Sequence, residues 1–251
     1  MKEDEVLRSH IMDLANQCYQ QNHYTFSGFL NVGEQVIVYE MERELKFVPW
    51  TLFGGSEDCE RRMLRFGSEE LLGYEEEFPI RCLVVRPVIR KFADTLNHRD
   101  FLGSLMNLGI ERDILGDIIV RDNVGYIFCE DQMASYLRDS LDQVKHTSVR
   151  CEIWKECPAQ ARPQFSEAEL VVSSNRADAI IAKVFQLSRS QSIELFRGRR
   201  VFVNGRLYEN NSGVLKPEDI VSVRGHGKFV FSGFLNETKK GRIRVGVRLY
   251  I

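Results

Sequence analysis

The chain has 251 residues, a formal net charge of −2 and 28% charged residues, enough length for two or three small domains that each bury a core. No apolar run approaches a membrane span and the opening "MKEDEVLRSHIMDLANQCY" has no apolar leader core, so a cytoplasmic protein with no membrane partner is expected. The six cysteines (Cys18, Cys59, Cys82, Cys129, Cys151, Cys157) form no C-x-x-C pair, which argues against a metal site or a disulfide framework and for reduced, mostly buried thiols.

Charge is unevenly placed. From Ser174 onward there are fifteen Lys and Arg against six Asp and Glu, while the preceding residues carry nineteen against thirty. An acidic body followed by a basic segment points to polyanion binding by the latter.

Residues 1–75 read as a helical region. Val6, Leu7, Ile11, Leu14, Ala15 and Cys18 recur near the helical period. A polar break, "QQNHYTFSGFLNVGE", precedes a second helical stretch, and Ser56 is placed to cap a third in "SEDCERRMLRF". From residue 76 to 157 the order becomes strand, helix, strand, strand, helix, strand. "FPIRCLVVRPVI", "LGDIIV", "GYIFC" and "SVRCEIW" supply β-branched strands, and Phe101, Leu102, Leu105 and Leu108, then Met133, Tyr136, Leu137 and Leu141, supply helical stripes. That order predicts a ferredoxin-like βαββαβ domain, a four-stranded sheet with two helices on one face. Tyr126 and Phe128 alternate as an aromatic RNA-stacking platform on the other face would require, although plain packing is the commoner reason for such a pair. The proline-containing stretch over residues 158–170 reads as a linker.

His98-Arg99-Asp100 shares its triplet with a kinase catalytic loop, but Leu105 stands where that loop needs a metal-binding Asn and no glycine-rich phosphate loop precedes it. The plainer reading is a helix start capped by Thr95 or Asn97, with Asp100 complementing the dipole. His98 and Arg99 would then form a possible second RNA contact.

Residues 171–251 carry the basic module. Ser173 or Ser174 is expected to cap a helix buried through Ala177, Ile180, Ile181, Val184 and Phe185, with Arg176 and Lys183 along its edge. Ser188 with Gln191 fits a capping box that puts Arg189 in the first turn of a second helix. Asn204-Gly205 in "RVFVNGRLY" signals a type I′ hairpin flanked by Arg199, Arg200 and Arg206, and the basic-apolar alternation of "TKKGRIRVGVRLYI" suits a last strand.

Arg176 with Asp178, Ser188-Arg189-Ser190, Val201 to Gly205, and Asp219-Ile220 with Val221 and Val223 resemble the pattern of the S4 RNA-binding domain. Two positions depart from it: Ala177 replaces a leucine, and the glycine expected before the first strand is Arg199, with Gly198 one place early. "LNHRDFLGSLMNLGIERDILGDIIV", this module and "TKKGRIRV" together are similar to the YlmH family of bacterial S4 proteins. The resemblance implies an α+β chain ending in an S4 domain, with no enzymatic activity and no cofactor. It also implies a role in ribosome-associated quality control of stalled large (50S) subunits carrying peptidyl-tRNA, from a gene near cell-division genes. RNA, rRNA and with it tRNA, is the expected partner of a monomer. Expected contacts are Arg176, Lys183, Arg189, Arg197, Arg199, Arg200, Arg206, Lys239, Lys240 and Arg242 on phosphates, and Ser188, Ser190 and Asn204 as hydrogen-bonding groups. Two other functions fit the same residues, an RNA-modifying enzyme anchored by the module and a protein-only division factor. The first lacks any nucleotide loop, nucleophile elbow or metal cluster in the sequence.

Overall fold

The computed structural model describes residues 2–155, 158–162, 164–238 and 241–250. Cys157, Lys239 and Lys240 therefore lie outside the described residues. The architecture is α+β, in two compact units, residues 1–163 and 164–251.

The first unit opens with α1 (Lys2–Gln21), β1 (Thr25–Leu30), α2 (Val32–Glu40), β2 (Trp50–Phe53), β3 (Arg62–Phe66) and the single turn α3 (Glu69–Leu72). The expectation of a purely helical region over 1–75 is corrected here. β1, β3 and β2 form an antiparallel sheet with β3 in the centre. "RMLRF" is a strand because Met63, Leu64 and Phe66 are buried between two partners, and an exposed helix would leave them wet. Ser56 caps nothing, since no helix follows it; the real caps nearby are Asn31, in a capping box with Glu34, and Ser68.

The middle part follows as β4 (Ile80–Pro87), α4 (His98–Asn107), β5 (Leu115–Arg121), β6 (Val124–Glu130), α5 (Asp131–Ser140), β7 (Gln143–Val144) and β8 (Thr147–Trp154). The antiparallel order β5-β6-β4-β8, with β7 added at the edge, is that of a ferredoxin-like sheet. Phe101, Leu105, Ala134 and Leu137 of its helices pack on Leu83, Val85, Leu115 and Ile127.

Its other face is not an RNA platform. Tyr126 and Phe128 are only 8% and 1% exposed, packed with Cys82 and Val84 against Phe29 and Met63 of the small sheet. The aromatic alternation is therefore packing, and residues 1–75 and 76–157 share this core instead of forming two separate domains. Arg61 bridges the two parts. Its Nε donates to the Leu115 carbonyl at 2.8 Å and its Nη2 to the Phe29 carbonyl at 2.7 Å. The Asp117 carboxylate accepts the Glu60 and Arg61 amides at 2.7 and 3.0 Å. Burial lowers the pKa of Arg61, and burial together with its neighbour Arg61 brings that of Arg112 down to about 10.

The second unit contains β9 (Phe165–Val172), α6 (Ala177–Val184), α7 (Arg189–Arg197), β10 (Val201–Val203), β11 (Arg206–Leu207), β12 (Asp219–Val223), β13 (Gly227–Glu237) and β14 (Ile243–Tyr250). They make one antiparallel sheet, β11-β10-β12-β13-β14-β9, with α6 and α7 packed on one face through Ile180, Ile181, Leu195 and Phe196. The linker expected over 158–170 is thus too long. Phe165–Val172 is a strand paired with β14 along its whole length, from Ile243 opposite Val172 to Tyr250 opposite Phe165. Ala168, Leu170 and Val172 join the core while Glu167 and Glu169 face out, a period of two that the preceding prolines obscure.

The packing between the two sheets of the first unit is tight at Gly116, where an added Cβ would lie 2.7 Å from the Phe29 ring and 2.8 Å from the Phe128 Cβ. Gly116→Ala is expected to destabilise this unit by about 1–3 kcal/mol, read as a lower urea midpoint with an unchanged slope.

Candidate nucleic-acid interface

The basic module is built around a buried carboxylate. Asp178, 1% exposed, stands in the first turn of α6. Arg176, half-buried just before the helix, gives it two parallel hydrogen bonds, Nε to Oδ1 at 3.0 Å and Nη2 to Oδ2 at 2.6 Å. Asn211 Nδ2 donates a third at 3.2 Å. The start of α6 has no side-chain cap, so Ser173 and Ser174 do not play the expected role. Carbonyls of the loop before β12 take the first amides instead: Ala177 N–H donates to Gly213 and Asp178 N–H to Asn211, at 2.8 and 3.0 Å. The Asp178 carbonyl in turn accepts the buried Ser192 hydroxyl of α7 at 2.8 Å, locking the two helices together.

The capping box at α7 forms as the sequence indicates. The Ser188 hydroxyl accepts the Gln191 amide at 3.3 Å and the Gln191 side chain accepts the Ser188 amide at 2.8 Å; the Ser188 and Ser190 hydroxyls lie 3.0 Å apart. Both serines thus organise the helix start, and Arg189 projects from it, exposed. An open groove of about 630 Å³ runs between α6, the end of β9 and the start of α7, lined by Ser173, Ser174, Arg176, Lys183, Gln186 and Arg189. Lys183 and Arg189 are exposed there. An anion in this groove would meet two cations and the positive end of the α7 dipole.

The remaining arginines surround the passage from α7 into the hairpin. Arg197 pairs with Glu194 at 2.7 Å on the exposed helix face, and Arg199 approaches Glu209 at 3.8 Å. Arg200 folds over the next turn, its Nε donating to the Arg224 carbonyl at 3.1 Å. The hairpin has the anticipated geometry, with positive φ at Asn204 (50°) and Gly205 (74°). The Asn204 side chain is used internally: Nδ2 donates to Asp219 at 2.8 Å and Oδ1 accepts the Ile220 amide at 2.9 Å. Arg206 lies exposed on β11 and Arg242 exposed before β14, its amide held by the Thr238 hydroxyl at 3.0 Å.

At the position that departs from the S4 pattern, the backbone keeps the left-handed turn and the side chain tolerates it. Gly198 has φ −77° and Arg199 has φ +53°, while the amides of residues 198–200 close the helix end on Glu194, Phe196 and Leu195.

Cations that sequence reasoning passed over lie on the sheet face opposite the helices. Arg224 stacks on Phe202 at 4.6 Å, Lys228 on Tyr250 at 4.8 Å and Arg248 on Phe165 at 5.4 Å. The alternation of Arg248 and Tyr250 with inward Val247 and Leu249 was the available signal. In the first unit, Asn97 rather than Thr95 caps α4, in a box with Asp100, and His98 and Arg99 are exposed in its first turn. Among the described residues no group of three or more His, Cys, Asp or Glu is arranged to hold a metal, and no helix is long and apolar enough to cross a membrane. Burial pushes the thiols of Cys129 and Cys151 up to about 12 and about 11, well above the range of a nucleophilic thiolate.

Residues 74–156 match the family model described as "Putative RNA-binding domain in YlmH". Over 247 residues the chain is 26% identical to the "Ribosome-associated protein quality control protein P2" of Bacillus subtilis, covering 97% of this chain and 94% of that protein. The fold is also that of the "Cell division protein ylmH from Streptococcus pneumoniae", with a TM-score of 0.50 at 20% identity over 61% of this chain and 92% of that one.

The left-handed φ of Arg199 costs about 1 kcal/mol relative to glycine. Arg199→Gly is therefore expected to stabilise the C-terminal unit by about that amount in urea unfolding, even though it removes a surface cation.

Proposed function

We propose that the chain is a YlmH-like protein and a non-catalytic RNA-binding factor of ribosome-associated quality control, docking on structured rRNA of the large subunit. The observation that carries this reading is the groove between α6 and α7. Lys183 and Arg189 stand exposed at its wall beside a helix N-terminus, while the neighbouring Arg176 is already committed to Asp178. The module thus separates two kinds of arginine: those that hold the fold and those left for phosphate.

On this reading Lys183 and Arg189 make the central phosphate contacts. Arg197, Arg199, Arg200, Arg206 and Arg242 extend the positive surface, and Lys239 and Lys240 stand close to Arg242 in sequence. Ser188, Ser190 and Asn204 contribute by fixing the backbone that presents these cations, because their own polar groups are engaged within the protein. Arg176 acts the same way. Rigid presentation suits folded RNA, whose shape and backbone are read more than its base edges. The partner is a large subunit stalled with peptidyl-tRNA, met by a cytoplasmic monomer, and tRNA is a further contact on the same complex.

Binding of the full chain to purified large ribosomal subunits, followed by co-sedimentation, is expected to fall steeply with salt as condensed counterions are released. Joint replacement of Lys183 and Arg189 by alanine should weaken binding at low salt and reduce the slope of log affinity against log salt by about 2. Binding that does not change between low and high salt, or a double variant that sediments like the wild type, contradicts the reading.

A further inference from the structure

The connection between β4 and α4 in the first unit is exposed in an unusual way. Val88, Ile89 and Phe92 are 61%, 59% and 78% exposed, three large apolar side chains within five residues. Arg90 and Lys91 lie between them, both exposed, and the Lys91 ammonium sits 5.8 Å from the Phe92 ring centroid. Water contact at this many adjacent apolar groups has a cost that a folded monomer ordinarily avoids.

The segment is nonetheless held at both ends. Val88 N–H donates to the Ser148 carbonyl at 3.0 Å. Asp94 N–H donates to the Thr147 hydroxyl at 2.9 Å, the Asp94 carbonyl accepts Asn123 Nδ2 at 2.6 Å, and Leu96 N–H donates to Asn123 Oδ1 at 2.8 Å. These bonds gather the loop, the β5–β6 turn and the start of β8 at one end of the sheet. The strand register puts Arg150 opposite Arg86 and Arg121 opposite Val124 at that same end. Lys145 occupies the turn into β8 and Arg99 the first turn of α4.

The acids there are largely spoken for. Asp94 faces Thr147, Asp100 closes the α4 capping box with Asn97 and Glu152 pairs with Arg86 at 2.9 Å, leaving Asp122 and Asp142 exposed. A unit that is acidic as a whole thus presents one cationic end, tipped by an exposed aromatic ring. Cations around a free aromatic suit a polyanion with unstacked bases, since phosphates meet the cations and a base stacks on the ring. A lipid surface asks for a longer apolar face than three side chains.

We propose that this end of the middle domain is a second RNA site, in which Phe92 stacks on an unpaired base while Arg90, Lys91, Arg99 and Arg150 meet the flanking phosphates. The proposal rests on the RNA-binding reading above but concerns a different surface, so the two can be separated.

The test uses the full chain and a fluorescein-labelled 12-nucleotide oligouridylate, with polarisation as readout. Phe92→Ala is expected to weaken binding at least about fivefold, Phe92→Tyr to retain it, and the joint Arg90→Ala, Lys91→Ala variant to weaken it with a shallower salt dependence. All these side chains are exposed, so an unchanged thermal midpoint is expected for each variant. No binding of the oligonucleotide by the wild type, or equal binding by wild type, Phe92→Ala and the Arg90/Lys91 variant, overturns the proposal. If the wild type and Phe92→Ala bind alike while the Lys183/Arg189 variant loses large-subunit binding, this site fails and the groove stands. If wild type binds neither oligonucleotide nor subunits, both readings fail. Binding to phosphatidylglycerol vesicles that Phe92→Ala abolishes, with no binding to oligouridylate, overturns the RNA assignment in favour of a membrane.

Discussion

The carboxylate of Asp178 is the point on which the basic module turns. A buried charge is tolerated only when its lone pairs are filled, and here two bonds from Arg176 and one from Asn211 fill them. Because the same residue's amide and carbonyl are bonded to the loop at Asn211 and to Ser192 of α7, one position fixes the start of α6, the approach to β12 and the packing of α7. The orientation of Arg189 and Lys183 in their groove depends on that arrangement. Losing the carboxylate would loosen three segments together, and the cationic surface would lose its shape before it lost its charge.

The first unit depends on a different device, a sheet covered on both faces. Helices α4 and α5 take one face and the small β1-β3-β2 sheet takes the other, so the aromatic residues of β6 are core residues. Ferredoxin-like domains that bind RNA across the sheet need that face open. Here it is closed, and any RNA contact of this unit must come from other surfaces.

The sequence was legible where the local signal and the tertiary answer coincide. Asn204-Gly205 forms the hairpin because both residues readily take the positive φ of a type I′ turn, and Ser188 with Gln191 forms the capping box because both partners lie within one turn. The βαββαβ order was readable from β-branched runs alternating with helical stripes. What covers the free face was not, because Tyr126 and Phe128 look the same under water as under Phe29 and Met63. β1, β2 and β3 were missed for a related reason: each is short, and β1 pairs with a strand more than thirty residues further on. Among the site residues, charge was legible and commitment was not. Arg176 has Asp178 two places on in the sequence, but only the fold shows that acid to be buried and Arg176 committed to it, while Arg189 stays exposed.

The pairing of β9 with β14 also sets an order of events during synthesis. β9 begins the second unit, but its sheet neighbour is the last strand, some eighty residues later, and β14 lies between β9 and β13. The first unit can collapse while the chain is still being made, since residues 1–163 form a compact unit of their own. The second cannot close its sheet until residues 243–250 have cleared the exit tunnel, and such long-range antiparallel closure is intrinsically slow. A nascent copy of this protein therefore lacks its finished cationic module for as long as those residues remain inside the ribosome that is making it.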